Sequence, residues 1–202
     1  MNRSPSAPDR EDVAPHELAA YDRTVERISG YSEARKWGAG PSGIQPYYAM
    51  LLNSPEVADH VSGIPAVLRR RAATGEFPND AQLEWADLVA ARDMKWNRAF
   101  YSHVAEALGA GVRPEAIKAL MNDRVEDLTD DERRLADYIG KVQRGTVADE
   151  DYAWLEAQVG TRGAVEYTVF VGFLMLNFRA MQAFGIADRS DQEVADLVEQ
   201  LC

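Results

Sequence analysis

The most apolar stretch of the chain, TVFVGFLML at residues 168–176, restricts the folds that it can adopt. Its β-branched and aromatic residues would suit a strand, but the apolar positions around it recur every three or four residues, which is the period of an α-helix. These positions are Val165, Val169, Gly172 and Leu176. We therefore predict a long helix over residues 163–184, with this apolar face buried and Gly185 as its C-cap.

Start and stop signals for helices punctuate the rest of the chain, and no convincing alternating β pattern appears. Ser54-Pro55 suits a helix start, Asn79 or Asp80 is a credible N-cap, and TDDE at residues 129–132 has the form of a capping box. The sequence therefore predicts an all-α fold. The predicted helices cover residues 16–37, 47–52, 55–71, 80–94, 96–108, 114–122, 135–142, 149–159, 163–184 and 190–201.

The length of 202 residues suits one domain with an appended arm. Residues 1–40 begin with a stretch rich in proline, serine and charge, so we predict a partly flexible N-terminal arm that carries one helix. Residues 41–188 form the predicted helical domain, and residues 189–202 form a C-terminal helix or tail.

Acidic residues outnumber basic ones by 33 to 22, which gives a net charge of −11. Such a surface repels nucleic acid and anionic membranes, so we expect neither as a partner. The start of the chain has no apolar leader, and residues 168–176 are fewer than the about 20 that span a bilayer. We therefore expect a cytoplasmic protein. The densest basic cluster, Arg69, Arg70 and Arg71, is interpreted as the solvated end of a helix.

Common metal, phosphate and thiol motifs are missing from the sequence. The histidines at positions 16, 60 and 103 stand at no metal-ligand spacing, and Glu106, close after His103, does not complete a site. GAGPSG lacks the Lys-Ser/Thr of a phosphate loop. The single cysteine, Cys202, excludes an intramolecular disulfide and a cysteine-based metal cluster. We therefore expect neither a metal nor a cofactor.

One stretch does combine residues that could carry out chemistry, LEWADLVAARDMKWNRAFYSHV at residues 83–104. It resembles the carboxymuconolactone decarboxylase and AhpD-like alkylhydroperoxidase superfamily, whose peroxidase branch has a Glu ahead of Cys-x-x-Cys-x-x-x-His. With His103 on that histidine, the cysteine positions fall on Trp96 and Ala99, and the upstream carboxylate falls on Glu84. VAEALGAGVRPEAIKAL, LTDDERRLADYIGKV and GAVEYTVFVGFLMLNFRAMQAFGI resemble the flanking helices, so the resemblance covers residues 46–186.

The resemblance implies an AhpD-like helical bundle that assembles as a homo-oligomer (a dimer, trimer or hexamer). It also implies the cysteine-less branch, a lyase that acts by acid–base chemistry on a small carboxylated or lactone metabolite. His103 would be the general acid/base and Glu84 would orient it. Many members of the family carry a polar group where this chain has Ala99, so its relay is shorter.

A carboxylate beside an imidazole holds one ring tautomer, which suits proton transfer to a carbanion or enolate. Asn97, Arg98 and Tyr101 lie early in the same predicted helix and could bind the substrate, while Trp96 and Tyr48 could wall its pocket. Other proton transfers, namely isomerisation, dehydration or cyclisation, need the same residues. A catalytically silent binding protein is a further alternative, and a thiol peroxidase is disfavoured because it needs two cysteines.

Overall fold

The computed structural model describes residues 4–30, 37–39, 42–75 and 77–202. Within these ranges the regular elements are α-helices and two short 3₁₀ turns, Arg10–Asp12 and Val125–Asp127, so the predicted all-α character is confirmed. The α-helices are α1 Leu18–Ile28, α2 Pro46–Leu51, α3 Pro55–Ala72, α4 Asp80–Asp93, α5 Asn97–Ala110, α6 Pro114–Met121, α7 Asp130–Arg144, α8 Asp149–Ala183 and α9 Asp191–Leu201.

Local signals explain where several of these helices begin and end. Asn79 caps α4 by accepting from the Gln82 backbone N–H, while the Gln82 side chain accepts from the Asn79 N–H, which forms a capping box. The predicted box at Thr129 forms in the same way at the start of α7. Gly111 and Gly145 end α5 and α7 with φ values of 98° and 68°, a left-handed geometry that favours glycine.

The backbone contacts divide the chain into two compact units. The first unit comprises Met1–Val67 and Arg179–Ala187, and the second comprises Leu68–Phe178 and Asp188–Cys202. The domain limits predicted from the sequence lie after residues 40 and 188. They are based on the composition of the N-terminal arm and on the family resemblance, not on backbone contacts, and they stay a prediction.

Two apolar clusters lie among the described residues of the first unit. One is built from Ile28, Tyr47, Tyr48, Met50 and Ile186, and the two tyrosine rings meet edge to face with their centroids 5.1 Å apart. The other contains Val13, Tyr21, Leu52 and Ala58. Tyr48, predicted to wall a substrate pocket, is therefore a buried member of this unit's core.

The second unit is built around α4, which is buried along most of its length. Its apolar side chains are almost fully enclosed, and α5 is the helix with which it makes its closest pairing. The long helix α8 contributes Tyr167, Phe170 and Val171 to the buried side chains of the same unit. Two carboxylates, Glu84 and Asp87, also lie on this enclosed part of α4, where a charge is costly unless it has a partner.

The predicted helix over residues 163–184 forms as part of α8, but the face expected to be buried is not. Val165, Val169 and Leu176 are each about half exposed, at 51%, 51% and 50%. The buried face carries Tyr167, Phe170 and other apolar residues instead. Because both faces of this segment are apolar, the spacing identified the helix and could not identify which face packs inward.

By length and composition alone, α8 is also a candidate membrane span, since one window of 18 residues has a mean hydropathy of 1.2. About 44% of that window is buried inside the protein. A core helix of a globular protein passes the same test. In addition, a backbone break at Gly160, with φ of 71°, interrupts α8 ahead of the apolar segment.

Candidate active site

Two neighbouring helices, α4 and α5, carry the residues that the sequence analysis paired. The tight connection between them is closed by the Trp96 N–H, which donates to the Ala91 carbonyl at 2.8 Å. Lys95 within this turn has a φ of 51°. The reversal folds α5 back along α4, so residues far apart in sequence meet on the facing sides of the two helices.

Glu84 and His103 meet at this helix pair. The Nδ1 atom of His103 lies 2.7 Å from Oε2 of Glu84, and both side chains are buried. An ionised carboxylate only accepts hydrogen bonds, so Nδ1 carries the proton and donates it, which puts the lone pair of the neutral ring on Nε2. The structure thus brings the two residues together as the sequence predicts, while their catalytic role stays a prediction.

A second carboxylate and an arginine join this cluster, and the sequence analysis missed both; Glu106, which the sequence analysis set aside, also lies nearby, with its Oε2 atom 3.8 Å from Nδ1 of His103. Asp87 lies one helical turn after Glu84, with its Oδ2 atom 3.4 Å from Nδ1 of His103. Arg69, in the last turn of α3, donates from Nη1 to Oε1 of Glu84 and from Nη2 to Oδ2 of Asp87, the latter at 2.8 Å. The spacing Glu-x-x-Asp within an apolar helix could have identified the second carboxylate, since it puts both on one face.

Arg69 corrects the interpretation of the arginine cluster as a solvated helix end. Burial alone would lower the pKa of Arg69, but the charges of Asp87 and Glu84 outweigh it and raise this pKa above its ordinary value. Arg71 is also paired, with Glu166. Arg70 is exposed, as predicted. Two of the three arginines therefore neutralise carboxylates. The sequence did not predict these pairs, because the acidic partners lie far away in sequence.

Glu84, Asp87 and His103 also meet the simplest requirement for a metal site, since one ligand atom of each lies within 4.8 Å of the others. Spacing along the sequence could not predict this group, because it is assembled from two helices. Two carboxylates and an imidazole suit several divalent metals. However, Arg69 already supplies a cation to both carboxylates, and Nδ1 of His103 faces Glu84 as a donor. The described geometry therefore fits an internal ion-pair network better than a metal centre.

The predicted substrate-binding residues at the start of α5 meet the segment before α9. Asn97 donates from Nδ2 to the Arg189 carbonyl at 3.2 Å and to Oδ1 of Asp191 at 2.6 Å. The ring of Tyr101 lies 4.1 Å from the guanidinium carbon of Arg189. These contacts hold Asn97 and Tyr101 in place, and a role in substrate binding stays a prediction.

Arg98, the third of these residues, contributes its backbone to the start of α5. Its N–H donates to Oδ1 of Asp188 at 2.6 Å, so a distant aspartate takes the place of a local N-cap. Burial, and then the nearby charge of Arg189, lower the pKa of Arg98 to about 10. Burial raises the pKa of Asp188.

A polar cavity of about 740 Å³ opens beside this end of α5, and Asn97, Phe100, Lys95 and Asp188 are among the residues that line it. Trp96, predicted to wall the pocket, is buried, and its Nε1 atom has no hydrogen-bond partner among the described residues.

No protein-family model, curated protein or solved structure matches this chain.

Proposed function

We propose that this chain is a cofactor-independent lyase of the carboxymuconolactone decarboxylase-like kind, with an AhpD-like helical bundle and no redox centre. The observation that carries the proposal is the 2.7 Å contact between Nδ1 of His103 and Oε2 of Glu84, both buried. A histidine whose Nδ1–H is held by a carboxylate presents its other nitrogen for proton transfer. The substrate is a small carboxylated or lactone metabolite.

In this proposal the bond between the substrate carbon and its carboxylate breaks, and CO₂ leaves without the bonding electrons. The lone pair on Nε2 of His103 first takes up a proton from solvent; once CO₂ has left, the electron pair stays on carbon or delocalises into an enolate, and Nε2–H delivers that proton to it. Glu84 keeps its hydrogen bond to Nδ1 throughout and stabilises the ring while it is charged.

A direct screen tests this function. We expect the protein to release CO₂ from lactones or β-keto acids that bear a carboxylate, without added metal or cofactor, and the variant His103→Ala to lose that release. Isomerisation, dehydration and cyclisation use the same proton-transfer pair. Product analysis by NMR on the same substrates separates those reactions from decarboxylation, because only decarboxylation removes a carbon atom.

The thiol peroxidase alternative leads to a prediction about Cys202. The only cysteine, Cys202, directly follows α9. Burial raises the pKa of its thiol, which lowers the fraction of reactive thiolate. We therefore expect Cys202→Ser to leave turnover unchanged and the wild-type protein to consume no hydroperoxide in a dithiol-coupled assay. A large loss of activity in Cys202→Ser would instead support a thiol mechanism.

The homo-oligomer is part of the same proposal, supported by the exposed apolar face of α8. Burying each half-exposed valine of this face in a subunit contact would contribute roughly 1 kcal/mol, about half of the value for a fully exposed side chain. We expect light scattering to give a multiple of 22.4 kDa for the wild-type protein, and Val169→Asp to shift it towards the monomer. Val125→Asp is the matched control, since Val125 is equally exposed at 49% but lies outside α8. A wild-type monomer at working concentration would contradict the prediction.

A further inference from the structure

Three carboxylates among the described residues lie near one imidazole nitrogen, Nδ1 of His103. Glu106 is the farthest, with its Oε2 atom at 3.8 Å, and Glu84 and Asp87 are the closer competitors. Nδ1 of His103 lies 2.7 Å from Oε2 of Glu84 and 3.4 Å from Oδ2 of Asp87. Both carboxylates project from the same face of α4, one turn apart, so the helix itself favours neither as the partner. Another group in the cluster must set which of them accepts the hydrogen bond.

Arg69 treats the two carboxylates differently at the level of single atoms. Its Nη1 binds Oε1 of Glu84, which is the oxygen turned away from His103. Its Nη2 binds Oδ2 of Asp87 at 2.8 Å, and this oxygen is the one nearest His103. In the described geometry Arg69 therefore makes no hydrogen bond to the histidine-facing oxygen of Glu84, which accepts from the ring. It does donate a hydrogen bond to the histidine-facing oxygen of Asp87.

The geometry of an arginine suits this task. The guanidinium is planar and presents its donors at fixed angles, so binding one carboxylate fixes the donor aimed at the other. Arg69 is only 27% exposed, and its guanidinium carbon lies 6.0 Å from the centroid of the Phe170 ring. A lysine would bring the same charge without the rigid fork.

We infer that Arg69 is a positioning residue that selects Glu84 over Asp87 as the hydrogen-bond partner of His103, and so fixes which carboxylate orients the ring that carries its proton on Nδ1. The inference deepens the proposed function, because that function needs Nε2 to face the substrate. Selection of the partner is nevertheless a property of the protein alone, and it can be measured without any substrate, through the tautomer of His103 in Glu84→Gln variants.

Ring ¹⁵N NMR at alkaline pH distinguishes the two tautomers directly. The chain has three histidines, so His16→Gln and His60→Gln variants assign the His103 signals. In the wild-type protein we expect the Nδ1–H form of His103. In Glu84→Gln, Arg69 should hold the amide oxygen, which turns the amide NH₂ towards Nδ1. The tautomer should then switch to Nε2–H.

The decisive variant is Glu84→Gln combined with Arg69→Gln, which removes one charge of each sign. Without Arg69, Oδ2 of Asp87 can accept from the ring, so the Nδ1–H form should return. Glu84→Gln with Arg71→Gln is the matched control, and it should keep the Nε2–H form of the single variant. If the Arg69 double variant keeps the Nε2–H form, or if Glu84→Gln alone keeps the Nδ1–H form, the inference is wrong.

A second measurement covers the case in which that double variant does not fold. Glu84→Gln combined with Arg69→Lys keeps the positive charge and loses the fork, so we expect a mixture of both tautomers, and the pure Nε2–H spectrum of the single Glu84→Gln variant would overturn the inference. The two proposals fail separately. Loss of the tautomer pattern with His103 still needed for turnover removes only the role of Arg69, whereas an intact pattern with full turnover in His103→Ala removes only the proposed function.

Discussion

Arg69→Gln is expected to lower the free energy of unfolding by about 3–5 kcal/mol, the usual loss when one partner of a buried ion pair is removed. The side chains of Glu84 and Asp87 are only 4% and 3% exposed, so water cannot replace the lost guanidinium. Glutamine restores at most part of the hydrogen bonding and none of the charge. Chemical denaturation at neutral pH, followed by far-UV circular dichroism, measures the change.

Arg71→Gln is the control for this prediction, because Arg71 lies in the same last turn of α3 and also pairs with a carboxylate, Glu166. Glu166 keeps a second cation, since Nε of Arg162 lies 3.0 Å from its Oε1 atom. We therefore expect a smaller loss for Arg71→Gln. Equal losses in the two variants would mean that Glu84 and Asp87 depend on Arg69 no more than Glu166 depends on Arg71.

The helices of this chain were largely predictable because their signals are local. Capping boxes at Asn79 and Thr129 and the glycines that end α5 and α7 each act within a few residues, so a single sequence contains the whole interaction. The packing of α8 was not predictable in the same way. Its apolar residues cover more than one face, and only contacts with distant segments decide that Val165 and Val169 remain half exposed.

The candidate site divides along the same line. Glu84 and His103 could be paired from the sequence because the family resemblance supplies a spacing that the two-helix arrangement satisfies. Asp87 could have been found from its helical register with Glu84. Arg69 could not, because it comes from another helix, and its contact with both carboxylates depends on how the helices pack. Charged residues in an enclosed helix imply a counter-ion, but the sequence does not say which one.

His103→Ala is expected to lower turnover of the decarboxylation substrate by about 10²–10⁴-fold, the usual contribution of a positioned general acid or base. The loss should appear mainly in kcat, because the proposed proton transfer takes place in the transition state and contributes little to binding. Glu84→Gln should cause a smaller loss, since the ring remains present but its tautomer and orientation change. Steady-state measurement of CO₂ release gives kcat and KM for each variant.

Removing the His103 ring also takes a hydrogen-bond donor away from the buried Glu84, so a loss of activity could follow from misfolding. His103→Asn separates the two effects, because its amide NH₂ can still donate to Glu84 while no group remains at the position of Nε2. We expect His103→Asn to keep the wild-type melting behaviour and to be as inactive as His103→Ala. His60→Ala, which removes an exposed histidine of the first unit, should retain full activity. Substantial turnover in His103→Asn would show that the proton moves through another group, and the contact between Glu84 and His103 would then serve to hold α4 and α5 together.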